Sequence, residues 1–328
     1  MTVKIGRQFA IGFAKETTRG TAPGSASFWV RHTEIGLQEK FDMAKQEFSI
    51  GIIEDGVGAD IVKQYVEGDI KMPVTDKAIG LLLYNALGAV TTQANTPETG
   101  VYTHTFTVLQ SSQHPSLALY VDDPASGQDY THALAMLNSL EINADIGAYA
   151  SLSATFKAKK GATATLTPAI TSENIFRPQD VTLKQASALA GLTGASAIPV
   201  KKLSLKIEKN LEDDDVLGNV APQDFYNKQL VITGSIEAIY QNESDFKTNA
   251  LAGTARAVRI TLQNAGVIIG TTQNPTITID LAKAHFEEIA INRGANDIVT
   301  QTLSFKAYYS TTDASSISVV VKNTQTSY

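Results

Sequence analysis

Residues able to do chemistry are scattered through the chain, and their spacing limits what they can do. The five histidines, His32, His104, His114, His132 and His285, stand without a metal-ligand spacing. His285-Phe286-Glu287-Glu288 has the wrong order for a zinc-hydrolase helix, so it reads as a structural histidine. Gly56-Val57-Gly58-Ala59-Asp60-Ile61 opens like a dinucleotide-binding turn but lacks the third glycine and a buried parallel strand before it. Asp213-Asp214-Asp215 has neither the alternating ligands nor the closing glutamate of a calcium loop. Asp122-Asp123 and Glu287-Glu288 are adjacent, and on a strand adjacent side chains point to opposite faces, so neither makes an acid–base pair. Asn242-Glu243-Ser244 fits a glycosylation pattern, but with no secretion signal it reads as a helix cap. Nucleophile elbow and phosphate loop are both missing. The chain is expected to be no enzyme and to carry no cofactor and no metal.

What remains is the material that would position such groups. The chain has 328 residues, room for two domains or one large β-structure. Hydrophobic residues make up 43% and charged residues 18%, enough apolar surface for a packed core. Lys plus Arg number 27 against 33 Asp plus Glu, a formal net charge of -6. That balance argues against a general duplex-DNA binder, which needs a basic face to displace phosphate counterions. There is no cysteine, which removes disulfides, thiolate metal sites and cysteine nucleophiles. Apolar runs such as Ile79 to Leu83 fall far short of a membrane span, and the opening Met1 to Gly20 has no signal-peptide core. The expectation is a soluble protein made in a cytoplasm, with no membrane partner.

Period-two alternation predicts mostly strand: Val62 to Met72, Tyr102 to Val108 and Leu203 to Ile207. Two segments read as helix. Thr75 to Leu87 has an apolar face of Ile79, Leu82, Leu83, Ala86 and Leu87, with Thr75 or Asp76 as cap. The second runs from about Glu243 to Ala252 after a cap at Asn242. The fold class expected is mainly β (α+β), with sandwich or barrel units each flanked by a short helix.

The most informative feature is an internal repeat, in which matches run in one order along both halves. Leu140-Glu141-Ile142-Asn143 corresponds to Ile289-Ala290-Ile291-Asn292, and, without a gap, Thr155 to Lys159 falls on Ser304 to Tyr308. Val66 to Ile70 matches Ile232 to Ile236, Asn85-Ala86-Leu87 matches Asn249-Ala250-Leu251, and Glu34 to Leu37 resembles Lys202 to Leu205. The chain therefore divides into tandem units over residues 1–160 and 175–328, joined by a linker over 161–174. Each unit also holds a long loop mixing acids with apolar groups. Ile52, Ile53, Glu54, Asp55 and Val57 lie in the first, and Asp213, Asp214, Asp215, Val216, Leu217 and Val220 in the second. Apolar side chains in a projecting loop end up buried against the same chain or another subunit.

The opening Ile11-Gly12-Phe13-Ala14-Lys15-Glu16-Thr17-Thr18-Arg19-Gly20-Thr21-Ala22 resembles the start of the major tail tube proteins of long-tailed bacteriophages. Arg19 stands where that family usually has an aromatic residue, and Tyr84-Asn85-Ala86-Leu87-Gly88 also resembles the family's helix end. The resemblance implies a virion subunit made and assembled in the host cytoplasm. It implies stacked rings forming a hollow conduit for DNA, with the tape measure, tail terminator and distal tail proteins as partners. With the tube domain duplicated, it implies homotrimeric rings of pseudo-sixfold symmetry. The two loops become the inter-ring contacts. Met1 to Gln8 and Ser315 to Tyr328 become arms crossing between subunits. The outer positions of the long strands, Lys63, Tyr65, Glu67, Asp69, Glu141, Asn143, Asp145, Thr233, Ser235, Asn292 and Thr302, become the lumen wall, although alternation alone serves a plain solvent face equally well. The competing readings are a duplicated β-sandwich binding module, such as an adhesin or capsid decoration protein, and a β-sandwich hydrolase whose cluster forms only in three dimensions.

Overall fold

A computed structural model describes residues 3–125, 127–241, 243 and 246–328. The first half contributes β1 (Ala10–Lys15), β2 (Phe28–Val30), β3 (Glu34–Ile35), β4 (Gln38–Lys45) and β5 (Ala59–Pro73). Helix α1 (Ala78–Leu87) follows, then β6 (Gly88–Ala94), β7 (Tyr102–Val108), β8 (Leu117–Asp122), β9 (Asp129–Asp145) and β10 (Ser151–Ala158). After β11 (Ala162–Ala164) come β12 (Val181–Ala186), β13 (Ala197–Ile198), β14 (Val200–Glu208), β15 (Glu212–Asp214), β16 (Asp224–Tyr226) and β17 (Val231–Ile239). Helix α2 (Lys247–Leu251), β18 (Arg256–Gln263), β19 (Thr276–Asn292), β20 (Thr300–Tyr308) and β21 (Ile317–Asn323) complete the order. The protein is mainly β, as its alternation requires.

Both halves follow one pairing plan. In the first, β1 pairs with β8, β8 with β9, β9 with β10, and β10 with β5, which carries β3 and β4. In the second, β12 pairs with β18, β18 with β19, β19 with β20, β20 with β17, and β17 with β14. The strands β9 and β19 each belong to two layers. Residues 129–135 of β9 pair with β8 and β11, while its later residues pair with β10 and β14. Leu134 marks the switch with a left-handed φ of 56°, a conformation a branched side chain adopts only when the surroundings hold it.

The later half of β9 also pairs with β14, so the two halves share one continuous antiparallel sheet. Its order is β4, β5, β10, β9, β14, β17, β20, β19. The inner face buries Val66, Ile70, Leu140, Ile142, Phe156, Leu203, Leu205, Ile236 and Phe305 in the core. Against it lie α1 and the strands of the second layer, including Phe13, Leu119, Ile260, Ile279 and Val319.

Helix α1 starts at Ala78, and neither Thr75 nor Asp76 caps it. Asp76 instead accepts from Asn174 N and Nδ2, both at 2.8 Å. The cap comes from Glu173, whose Oε1 accepts from Ala78 N at 2.5 Å across the chain. Nine of the ten helix residues are buried, all but Tyr84, because the helix is sandwiched and not lying on the surface. It ends at Gly88, whose φ of 93° only glycine adopts cheaply. Helix α2 is shorter than expected, and the cap read at Asn242 lies outside the described residues.

Two further expectations meet ordered structure. Part of the stretch read as a linker is β11, paired with Asp129 to Thr131, and Thr171 N donates to Trp29 O at 2.9 Å. The segment read as a crossing arm, Ser315 to Tyr328, places β21 between β19 and β7 of its own chain. The Tyr328 ring packs among Phe28, His104 and Phe106, so that segment completes the core instead of leaving it. On the other arm, Met1 and Thr2 lie outside the described residues, and Val3 to Gln8 are exposed.

Candidate assembly surfaces

The outer face of the continuous sheet is polar. Residues directly opposed in antiparallel strands share a face. The register runs Asp69, Thr155, Ser139 along one row, Ser153, Glu141, Lys206, Thr233, Lys306 along the next, and Asn143, Ser204, Ser235, Ser304 along a third. Lys202 stands between Asp145 and Glu237, which opposes Thr302, and Asn292 follows on the same side of β19. All eleven outer positions read from the sequence therefore fall on one surface. Glu67, Asp69, Glu141, Asp145, Glu208, Glu237 and Glu288 stand there among Lys71, Lys157, Lys202, Lys206 and Lys306, so charges of both signs are interspersed across the face. Exposed pairs such as Lys71–Glu34 at 2.7 Å and Lys202–Asp145 at 3.5 Å link neighbouring strands at little net energy.

Lys63 and Tyr65 share this face but are covered. The small ribbon β15–β16 folds over them, and Gln64 N donates to Val220 O at 2.8 Å. Asp213 sits between Lys63 Nζ and Lys157 Nζ, each at 2.8 Å, and Asp215 meets Lys63 at 2.7 Å. Both lysines also lie over the Tyr65 ring, at 5.1 and 5.7 Å. The two lysines hold the Asp213 carboxyl below its usual range despite partial burial. Asp214 accepts from the Tyr226 hydroxyl at 3.1 Å. All three aspartates are thus engaged within the chain, while Val216, Leu217 and Val220 stay exposed beyond them.

The first loop behaves differently. Every residue of β4 is exposed, as are Ala59 to Val62 of β5, so the two strands form a bare ribbon projecting from the sheet. Phe41, Met43, Phe48, Ile61 and Val62 lie open along it, and the tip exposes Ile52, Ile53 (103%), Glu54, Asp55 and Val57. An isolated two-stranded ribbon is marginally stable in water, and this one leaves apolar groups open on both faces. The tip's loop reads from sequence; the bare ribbon carrying it does not, because its strands alternate like any other.

The opening Lys-Glu-Thr-Thr-Arg-Gly segment has a structural task that sequence reasoning missed. Glu16 is 5% exposed, and its carboxylate accepts from Leu134 N at 2.8 Å, Gly20 N at 2.7 Å and the Ser116 hydroxyl. It thereby holds the left-handed bend in β9. Arg19 grips Asp224 through Nε and Nη2 at 2.7 and 2.6 Å and donates to His114 O and Phe225 O. One motif pins both the bend and the second half's β16.

Two histidines and a lysine are buried in hydrogen bonds within the fold. His104 is fully buried, with Thr92, Asn323 and Gln325 O around its ring. His114 lies between Ala86 O and Leu109 O, and burial together with nearby Lys209 pushes its pKa down to about 4. Lys209 is buried with Nζ donating to Asn85 O at 2.7 Å, and burial lowers its pKa far below a free lysine's. Among the described residues no cluster of three His, Asp or Glu side chains is placed to hold a metal, and no helix is long and apolar enough to cross a membrane.

The family model described as "phage tail tube protein" matches residues 6–307. The chain belongs to that family. No curated protein matches it. As a phage tail tube protein it is a structural component of the virion tail, and the surfaces to explain are those with which a tube is built.

Proposed function

We propose that this chain forms trimeric rings of pseudo-sixfold symmetry, stacked into the hollow conduit through which DNA is delivered into the host. The observation that carries this reading is the repeated pairing plan, fused through β9 and β14 into one sheet with one polar face. Residues 1–160 and 175–328 act as two tube domains, so three chains supply six positions. The polar face, from Glu67 and Asp69 through Glu141, Asn143, Asp145, Thr233, Ser235 and Thr302 to Asn292, lines the channel.

Its interspersed charges of both signs give passing phosphates no continuous basic stripe on which to release counterions. DNA slides past such a wall without being held. Stacking uses the ribbon tip, with Ile52, Ile53 and Val57 as apolar anchors and Glu54 and Asp55 meeting basic groups of the next ring. Val216 and Leu217 add a smaller contact beside it. The tape measure, terminator and distal tail proteins meet the ends of the stack, and assembly takes place in the host cytoplasm.

Electron microscopy of the purified protein tests the reading. Annular or tubular particles with a central channel, three chains per ring by native mass spectrometry, are expected, with no retention of duplex DNA at physiological salt. Six chains per ring would remove the pseudo-sixfold arrangement. A protein that stays monomeric even with tail initiation proteins present would overturn the assembly reading in favour of a binding module.

A further inference from the structure

The junction inside the chain is a template for the junction between chains. At β9–β14, Ser139 opposes Glu208, Glu141 opposes Lys206, Ile142 opposes Leu205 and Asn143 opposes Ser204. The repeat carries each of these onto the outer strands. Pairings within each half agree on the correspondence: Leu203 opposes Ile236 as Ile35 opposes Ile70, Lys206 opposes Thr233 as Gln38 opposes Glu67, and Glu208 opposes Val231 as Lys40 opposes Tyr65. On the other side, Ser304 opposes Glu288 as Thr155 opposes Ser139.

Among the described residues, two strand edges have no strand beside them where the template has a neighbour. Residues 285–292 of β19 pair with β20 along one edge and, among the described residues, with no strand along the other. The β3–β4 edge is likewise open opposite β5. The side chains there are unfinished core. Leu203, Leu205 and Ile142 at the internal junction are at most 3% exposed, whereas their counterparts Ile35, Leu37 and Ile291 are only half-buried. A groove of about 1180 Å³, lined by Val30, Ile35, Leu37 and Val66, opens beneath the β3–β4 edge. In the second half β9 stands beside the equivalent strand.

Resting on the ring reading above, we propose that β19 of one chain adds antiparallel to β3–β4 of a second copy in the register of β9–β14. Glu288 then stands opposite Lys40, Ala290 opposite Gln38, Ile291 opposite Leu37 and Asn292 opposite Gly36. The Glu288–Lys40 pair lies on the polar face with complementary charge, as opposed cross-strand pairs require. Ile291 enters the groove beside Leu37. The contact is heterologous, so each chain offers one edge of each kind and the sheet closes as a ring.

The chain's lack of cysteine makes the register directly testable. Opposed Cα atoms in an antiparallel pair stand about 4.5–5.5 Å apart, within disulfide range. A Gln38→Cys/Ala290→Cys double variant, oxidised under ring-forming conditions, should turn most of the monomer into a covalent species of three chains that reduction returns to monomer. Gln38→Cys/Ile289→Cys, with its thiols on opposite faces, should not cross-link. Lys40→Glu or Glu288→Lys alone should lower ring yield several-fold, and the two together should restore it. Rings that form but cross-link only through the shifted pair, or not at all, would overturn the register and leave the tube reading standing. Absence of rings in the wild-type protein would overturn both.

Discussion

The carboxyl of Glu173 should make the protein weaker as pH rises, and a single substitution isolates the effect. Glu173 is 9% exposed, accepts from Ala78 N, and leaves Oε2 without a partner. Burial, assisted by Asp76, pushes its pKa from 4.5 up to about 7. An acid whose folded pKa is raised binds more protons folded than unfolded between those two values, so stability is lost as pH climbs from 4.5 to 7. The difference corresponds to about 3 kcal/mol at most. His114 runs the other way. Its folded pKa of about 4 lies below the ordinary 6.5, so its contribution is complete above 6.5 and is lost as pH falls toward 4. The two slopes nearly cancel in the wild-type protein. Glu173→Gln keeps the oxygen that caps α1 and removes the ionisation. In urea titrations of the unassembled chain, the variant should match wild type near pH 4.5 and exceed it by about 2–3 kcal/mol at pH 8. It should also reveal the rising His114 slope between pH 4 and 6.5. A variant equally destabilised at every pH would show that the charged cap stabilises α1 and that burial does not govern this carboxyl.

Deleting residues 51–59 removes the ribbon tip, so rings should persist without stacking; tubes of normal length in the microscope would refute the inter-ring role. Glu16→Gln replaces an acceptor of three hydrogen bonds with a group that must donate, and should cost about 3 kcal/mol in denaturant unfolding. Arg19→Lys cannot reproduce the two-pronged grip on Asp224, so it should lose about 2 kcal/mol, close to the loss from Arg19→Ala. Equal stability of Arg19→Lys and wild type by the same titration would refute the forked geometry.

What the sequence made legible followed from periodicity and repetition. Period two placed Glu67, Asp69, Glu141, Asn143 and Ser235 on outer positions, and the register puts all of them on one face. The strands matched between the halves by sequence, β9–β10 and β19–β20, pair with the same spacing and the same register shift. What stayed hidden depended on partners far apart along the chain. Glu16 reads as part of a family signature, yet its task is set by Leu134. Arg19 departs from the family pattern, and its reason is Asp224 in the other half. Helix α1 offered Thr75 and Asp76 as local caps, while the working cap, Glu173, lay in a stretch with no periodicity to mark it. Lys63 alternates correctly, but no local rule says that Asp213 will fold over it.

If three chains form the ring as proposed, the two long loops give it a departure from sixfold symmetry. Both mix acids with Ile, Val and Leu, and by composition they are interchangeable. In the second half the acids are consumed internally, with Asp213 between two lysines and β15–β16 laid down on the sheet. In the first half the corresponding loop extends as a bare ribbon, with every residue of β4 and Ala59 to Val62 of β5 exposed. A ring of identical single-domain subunits must repeat every projection six times. A ring of three duplicated chains can keep the wall nearly sixfold, where sheet register demands it, and make the projections threefold. An image reconstruction of the ring computed without imposed symmetry should therefore show six similar wall segments and three ribbons; six equal ribbons would refute the folded-back second loop.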